Sequence, residues 1–331
     1  MSFALTVEIE AWDMDPPLRI AGHVLTEIPV VVVTLSDGTH CGRGEAAGVY
    51  YRGETASRLA QQIERVRAAV EAGITRATLG TLLAPGGARN ALDCALWDLA
   101  AKQAGQPVWQ LAGLAPPVPL LTTCTLGADQ PEIMAEGARM RYRDAQALKL
   151  KLLGDGQDAG RVRAVRAARA DVWLGVDANQ GFTLRQLAEL MPVLVDARVS
   201  LIEQPCRVGD EAELDGFVSP IPLAADESVQ SLSDIAALVG RFQVMNIKLD
   251  KSGGLTEALS MVQEGRRLGL GIMVGNMGGT SLAMAPALLV GQCSDLVDLD
   301  GPLFLKSDRP NAVVYEHGRI SAPDSVWGAA R

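Results

Sequence analysis

Charged residues recur at a nearly constant interval in the second half of the chain, each at the end of a short apolar segment. The interval is 26 residues from Lys151 to Asp177, 26 from Asp177 to Glu203, 23 from there to Asp226 and 22 more to Lys248. One buried strand and its crossover fit in such a repeat, and the regularity favours a closed parallel barrel over a doubly wound sheet. A barrel would gather these residues at its C-terminal mouth, where barrel enzymes place their active sites.

Short apolar segments alternate with amphipathic ones between residues 116 and 302. Apolar residues at three- and four-residue steps predict helices in DAGRVRAVRAARA, TLRQLAELMPVLVDA, SLSDIAALVG and LTEALSMVQEGRRLG. No G-x-G-x-x-G follows a first strand, which weakens a dinucleotide-binding alternative. We therefore predict an α/β fold of the (β/α)8 type with seven helical crossovers. The predicted strands are 120–126, 147–152, 172–177, 199–204, 221–226, 243–249, 270–275 and 296–300.

A different pattern precedes the barrel. Residues 3–12 and 27–36 have β-type sequence, and SDGTHCGRGE after them indicates a turn with a returning strand. Two amphipathic helices follow in ETASRLAQQIERVRAAVEAG and ARNALDCALWDLAAKQAGQPVWQLAG, each ending at glycine or just before proline. Residues 1–115 are thus predicted to form a separate α+β unit.

Charge and hydropathy exclude several partners. The net charge of −9 leaves no basic stripe for a phosphate backbone, so we expect no nucleic-acid partner. The uncharged stretch 268–294 holds six glycines, Asn276 and Pro286, which favours strand, loop and helix over a membrane span. No signal peptide is predicted because Glu8 interrupts the N-terminal apolar residues, and a cytoplasmic protein is expected. Scattered cysteines without a CxxC pair argue against zinc.

Three acids, Asp177, Glu203 and Asp226, end successive predicted strands. A buried carboxylate costs several kcal/mol unless it is paired or bound to metal. Oxygen donors without a nearby histidine suit Mg²⁺ better than zinc, so we predict that the three acids share one Mg²⁺ ion. The structural alternative is that they cap helices or bridge lysines.

Lysines flank these acids. Lys149 and Lys151 are two residues apart on one strand and project to the same face. Two adjacent ammonium groups near a cation each favour loss of the other's proton, so Lys151 is predicted to act as a base and Lys149 to tune it and contact a carboxylate. Lys248 ends the sixth strand, roughly across the mouth from the second, and two facing lysines could invert a stereocentre. The alternative for Lys149 and Lys151 is a snorkelling surface pair.

Taken together, these motifs resemble the enolase superfamily. The K-x-K at 149–151 is similar to the corresponding motif of the muconate-lactonizing subgroup. The helix of the family's capping domain resembles RNALDCALWDLAAKQAGQPVWQLAG. The family's barrel motifs are matched, in order, by VDAN, EQP, ADES and IKLDKSGG. VDLDGP resembles the D-x-D of dipeptide epimerases, which implies that Asp298 and Asp300 hold a substrate ammonium and makes Thr125 a plausible further contact. The resemblance also implies Mg²⁺ at the three acids, Lys151 and Lys248 as acid/base pair, and residues 303–331 joining the capping domain 1–115.

Two departures leave the substrate side chain open. Near Gly279 many dipeptide epimerases carry an acidic residue, and LRIAGHV lacks the arginine of Ala-Glu epimerases unless Arg19, His23 or Arg52 replaces it. Tyr50, Tyr51 and Trp12 are expected to be packing residues more often than specificity contacts.

Three functions remain open from the sequence. The first is epimerisation of a dipeptide or a related acylated amino acid, a small-molecule substrate. The second is racemisation or elimination on another carboxylate such as an N-acyl amino acid, since one fold hosts many reactions. The third is a non-catalytic ligand-binding barrel. A homo-oligomer is expected only by analogy with the family.

Overall fold

The N-terminal unit is built on a three-stranded antiparallel sheet whose strands lie side by side in chain order. The computed structural model describes residues 2–20 and 23–329. The first two strands pair from Ala4 with Ser36 outward and are longer than predicted, since they continue through the residues expected to lie between them. Their bounds are β1 Ala4–Ile20, β2 His23–Ser36 and β3 Cys41–Ala46.

Strand β2 separates two hydrophobic cores. Val31, Val33 and Leu35 face the core of the N-terminal unit, whereas Val30 and Val32 belong to the core that continues into the barrel. Because side chains alternate along a strand, one valine-rich segment serves both cores. This placement attaches the sheet directly to the barrel mouth.

Helices cover the other face of the sheet. The longest of them crosses β3 so closely that a Cβ atom at Gly44 would lie 2.1 Å from the carbonyl oxygen of Ala91, and one at Gly42 would lie 2.2 Å from that of Ala95. Glycine is therefore required at both positions for this contact. The helices are α1 Ala56–Arg65, α2 Arg67–Glu71, α3 Arg76–Leu82, α4 Gly87–Ala104 and α5 Val108–Leu111, with a 3-10 turn at Tyr50–Arg52 before them.

The C-terminal part of the chain contains the predicted sheet of eight parallel strands, joined in sequence order. It curls until its ends meet, where the backbone N–H of Thr123 donates to the carbonyl of Val297 at 3.0 Å. The fold is thus the predicted barrel. Its elements, after β4 Leu120–Leu121, are β5 Cys124–Leu126, α6 Pro131–Met140, β6 Ala147–Lys151, α7 Asp158–Ala168, β7 Trp173–Asp177, α8 Leu184–Asp196, β8 Leu201–Glu203, β9 Leu223–Ala225, β10 Val244–Lys248, α9 Leu249–Ser252, α10 Leu255–Arg267, β11 Gly271–Gly275, α11 Ser281–Gly291 and β12 Leu296–Val297.

Two crossovers differ from the predicted α-helices. The chain between β8 and β9 contains a 3-10 segment, Glu211–Leu214, and SLSDIAALVG forms a 3-10 helix at Leu232–Leu238. The second segment begins at a capping box between Ser231 and Asp234, and few residues separate it from β10. Amphipathic spacing alone does not distinguish the two helix types in so short a segment. No helix in the described ranges is both long and apolar enough to span a bilayer.

The C-terminal segment returns to the N-terminal unit. After a 3-10 turn at Gly301–Phe304, strands β13 Val314–Glu316 and β14 Arg319–Ser321 pair antiparallel, and β14 continues onto β4. The predicted first strand, 120–126, is therefore split, and its beginning belongs to this small sheet. Farther on, the Trp327 indole donates to the carbonyl of Arg43 at 2.8 Å. The domain boundaries themselves stay a prediction.

Candidate active site

One cavity lies between the C-terminal ends of the barrel strands and the N-terminal sheet. It is lined by most of the residues that the sequence predicted for the site, while Asp177 and Glu203 are fully buried beside them. Their convergence follows from topology, because parallel strands end at the same edge of a barrel. The predicted residues that line the cavity are Thr125, Lys149, Lys151, Asp226, Lys248, Asp298 and Asp300.

The three acids predicted as metal ligands occupy neighbouring strands. Asp177 on β7 is directly opposite Glu203 on β8, and Asp226 follows β9. Each is bound by a lysine: Lys151 donates to Asp177, Lys149 to Glu203 at 2.9 Å, and Lys248 to Asp226 at 2.7 Å.

Burial and neighbouring charges shift the pKa values of the acids and lysines in this cluster. Burial raises the pKa of Glu203, and the nearby Asp177 raises it further. Burial opposes charge on Lys248 as well, but Asp226 and Glu203 outweigh burial and hold the lysine pKa above its ordinary value. The same balance, set by Asp298 and Glu203, raises the pKa of Lys149. The carboxylates thus favour the charged form of Lys149 and Lys248, whereas burial favours the neutral form of Glu203.

The donor chemistry of the acids fits a hard divalent cation. All three offer only carboxylate oxygens, all are at most 1% exposed, and crowding them together without positive charge is unfavourable. In the described part of the chain, no three His, Cys, Asp or Glu side chains are already grouped as a metal site, and Asn246 and Lys248 donate to Glu203 and Asp226. The assignment of the ligands therefore stays a prediction that the donor set supports.

Asp298 and Asp300 extend past β12 on one side of the cavity. The Lys149 ammonium and the Thr123 hydroxyl donate to Asp298, and although burial acts the other way, Lys149 lowers the pKa of this carboxyl. Asp300 accepts from the backbone N–H of Thr125 at 2.6 Å, and burial together with Asp298 raises its pKa to about 6. Strand β12 ends earlier than predicted, and these side chains bond across the seam of the barrel to the residues around β5.

Four residues that sequence analysis passed over take part in the site. Asn246 donates to Glu203 at 2.6 Å, and it could have been found from its two-residue spacing to Lys248 on one strand face. Lys251, on the short helix after β10, donates to the backbone and side chain of Asp226 and to the carbonyl of Asn246. Asn179 and Glu227 also line the cavity, and each lies close in sequence to an expected ligand.

The wall opposite the strand ends comes from the N-terminal unit and is largely apolar. Met14, Leu25 and Ile28 line it, with Phe304 from the C-terminal segment. Tyr50 and Tyr51 also face the cavity, which corrects the expectation that they are packing residues. Trp12 does not line the cavity; its indole donates to Glu10 and its ring lies 5.2 Å from the Arg309 guanidinium.

Two substrate contacts were left open from the sequence: a basic residue near the capping loop and an acidic residue near Gly279. Arg52 is exposed and does not line the cavity, and the side chains of Arg19 and His23 lie outside the described residues. No arginine or histidine lines the cavity in the described part of the chain. At Gly279, where an acid was expected in many relatives, the Glu45 carboxylate from the N-terminal sheet occupies the adjacent space and accepts the N–H of Thr280 at 2.6 Å.

Comparison with known proteins agrees with this architecture. Residues 3–113 match the model described as mandelate racemase/muconate lactonizing enzyme, N-terminal domain, and residues 133–326 match the enolase C-terminal domain-like model.

Two curated relatives are 40% identical. One is the L-Ala-D/L-Glu epimerase of Escherichia coli (strain K12), aligned over 94% of this chain and 97% of the relative. The other is the N-acetyl-D-glutamate racemase of a Pseudoalteromonas species, aligned over 91% of this chain and 96% of the relative.

A solved neighbour is the dipeptide epimerase of Methylococcus capsulatus complexed with Mg and the dipeptide L-Arg-D-Lys. Its TM-score is 0.90 at 29% identity, with 98% of both chains covered. The matched models span both parts of the chain, and the relatives align over nearly its whole length. The chain therefore belongs to the mandelate racemase/muconate lactonizing enzyme family within the enolase superfamily.

Proposed function

We propose that this chain is a Mg²⁺-dependent dipeptide epimerase that inverts an α-carbon by proton transfer between two lysines. The observation that carries the proposal is that Lys151 and Lys248 line one cavity from strands β6 and β10. These strands are four positions apart in a curled sheet of eight, so they stand on opposite sides of the mouth.

The two lysines supply the proton chemistry. A substrate α-carbon held between them would direct its hydrogen at the neutral amine of one lysine, and the ammonium of the other lysine would lie toward the opposite face. One lysine removes the proton and the other returns a proton to the far face, which reverses the configuration. The carboxylate partners of Lys149 outweigh its burial and raise its pKa, and as a cation it would contact the substrate carboxylate.

Asp177, Glu203 and Asp226 would hold the cation. Mg²⁺, when bound, would supply positive charge that stabilises the negative charge developing on the substrate carboxylate oxygens, and the α-proton would become more acidic for that reason. The Methylococcus neighbour is complexed with Mg and a dipeptide, which supports both the metal and the substrate class.

The other end of the dipeptide fits Asp298 and Asp300. Both carboxylates are buried and face the cavity, and Asp300 has no lysine partner in the described structure, so a substrate ammonium would compensate its charge. The equally similar N-acetyl-D-glutamate racemase supports a second candidate, racemisation of an N-acyl amino acid, in which no ammonium is present. A ligand-binding barrel without chemistry would not require both lysines at the mouth.

Lys151→Ala and Lys248→Ala test the proposal. Each should lower epimerisation of a dipeptide at least about 100-fold, since a positioned acid or base contributes roughly 10² to 10⁴ in rate. Chiral chromatography of the product measures inversion, and circular dichroism checks the fold. Lys306→Ala, at an exposed position, is the matched control and should retain activity. Full inversion by either active-site variant would refute the two-lysine mechanism.

A further inference from the structure

Glu227 carries a buried carboxylate oxygen for which the described structure offers no partner. The residue is 4% exposed and lines the cavity next to Asp226. Its Oε1 accepts from the side-chain amide of Asn179 at 3.3 Å, whereas its Oε2 has no hydrogen-bond partner among the described residues. No lysine or arginine in the described ranges forms an ion pair with it.

Such an oxygen calls for a donor. A buried polar atom left without a hydrogen bond costs roughly 1 to 3 kcal/mol, and more when it is charged. Buried unsatisfied groups in native proteins are few and often mark the position of water, an ion or a ligand. The Glu227 side chain lines the cavity and is held from one side by Asn179, and the acceptor capacity of its second oxygen is free.

The neighbours of this oxygen indicate what donates to it. Asn179 fixes Glu227 and also donates its backbone N–H to Asp177 at 2.9 Å, and Glu227 follows Asp226 directly in sequence. Asn179 has a positive φ of 42°, so the loop after β7 turns sharply to make both contacts. Glu227 is thus tied to two of the expected cation ligands, on the metal side of the cavity. Asp298 and Asp300, which suit the substrate amine, follow β12, which is three positions from β9 in the sheet order.

We propose that Glu227 Oε2 accepts a hydrogen bond from a water molecule bound to the divalent cation, with Asn179 as its positioning residue. Mg²⁺ binds proteins through few carboxylates and keeps several of its water molecules, whose hydrogens need acceptors. Mutation of partners of this kind typically costs about 10- to 100-fold in metal affinity or activity. The inference rests on the proposed function only through the metal that this function requires.

Glu227→Gln tests the role through metal binding alone. The variant keeps the size of the side chain and its contact with Asn179 but puts an amide NH₂ group, a donor, in place of the acceptor Oε2. The dissociation constant for Mg²⁺, measured by calorimetry without substrate, should therefore rise about 10- to 100-fold. Glu213→Gln removes an exposed carboxylate with no described side-chain partner and should bind Mg²⁺ as the wild type does. If Glu227→Gln does not fold, Glu227→Asp keeps the charge but withdraws the oxygens, and we expect a smaller loss of affinity.

Two results would overturn this role. If the folded Glu227 variant binds Mg²⁺ as tightly as the wild type but has a higher KM for the dipeptide, then Oε2 contacts the substrate and the inference is refuted. The absence of saturable Mg²⁺ binding in the wild type would also refute it. If Mg²⁺ binds as described but no dipeptide is epimerised, the proposed function fails while the role of Glu227 stands.

Discussion

Lys251→Met should destabilise the barrel markedly, because this buried lysine links the ends of two strands by hydrogen bonds. Its ammonium is 1% exposed and donates to the carbonyl of Asp226 at 2.6 Å, to the carboxylate of the same residue, and to the carbonyl of Asn246 at 3.0 Å. Methionine keeps the length and volume of the side chain, so the substitution removes three hydrogen bonds and one charge without opening a large cavity.

The expected magnitude follows from these contacts. Removing one partner of a buried ion pair costs about 3 to 5 kcal/mol. Asp226 keeps Lys248 as a partner at 2.7 Å, which places the loss near 3 kcal/mol, the lower end of that range. An unfolding entropy of about 2.1 cal/mol/K per residue gives roughly 0.7 kcal/mol/K for this chain, so the Tm should fall by about 4 °C.

Differential scanning calorimetry of the metal-free protein measures this shift. Lys306→Met is the control, since it makes the same chemical change at an exposed position and should alter the Tm by less than about 1 °C. A Tm within 1 °C of wild type for Lys251→Met would refute the conclusion that this lysine ties Asp226 to β10.

Three further predictions concern the substrate and the buried hydrogen bond between Gly48 and Asp250. Asp300→Asn should lower kcat/KM for a dipeptide with a free amine by roughly 30-fold, because a buried partner of the substrate ammonium loses its charge. The same substitution should lower kcat/KM for the N-acetylated dipeptide much less. Equal losses for the two substrates would exclude the ammonium role. Leu25→Arg should raise the ratio of kcat/KM for L-Ala-L-Glu to kcat/KM for L-Ala-L-Phe by about tenfold, because it places a cation in the apolar wall of the cavity. Parallel assays of the two dipeptides measure this ratio, and an unchanged ratio would contradict the position of Leu25 in that wall. Burial raises the pKa of Asp250 to about 7, so the folded state binds more protons than the unfolded state between pH 4 and 7, and the contribution of this group to stability falls as pH rises through that window. Asp250→Asn keeps an acceptor for the Gly48 N–H and should therefore gain roughly 1 to 4 kcal/mol relative to wild type between pH 4 and 7 in urea titrations; a constant difference across that range would contradict the assignment.

The parts of the site that were predictable lie on strands. Lys149 and Lys151 share a face because side chains alternate along a strand, and the even spacing of Asp177, Glu203 and Asp226 placed them on neighbouring strands. These inferences needed only local periodicity and the rule that barrel strands end together. The same periodicity applied to Asn246, which was not recognised beside Lys248.

The parts that were not predictable depend on contacts distant in sequence. Lys251 turns back toward Asp226 only because a four-residue helix follows β10 and ends at Gly253, with a φ of 82°. Glu45 reaches Thr280 across 235 residues, and β4 pairs with the C-terminal strand β14 instead of extending the barrel. No local pattern encodes such pairings, because their stability comes from packing between the two ends of the chain.

The most direct test of the proposed chemistry is exchange of the substrate α-hydrogen in D₂O. The wild-type enzyme with Mg²⁺ is incubated with a panel of dipeptides and N-acyl amino acids, and deuterium at the α-carbon is followed by NMR. Two lysines at opposite sides of the mouth predict exchange into both epimers of at least one dipeptide, and loss of that exchange when EDTA removes the metal. Mg²⁺-independent exchange, or no exchange with any compound of the panel, would contradict the account.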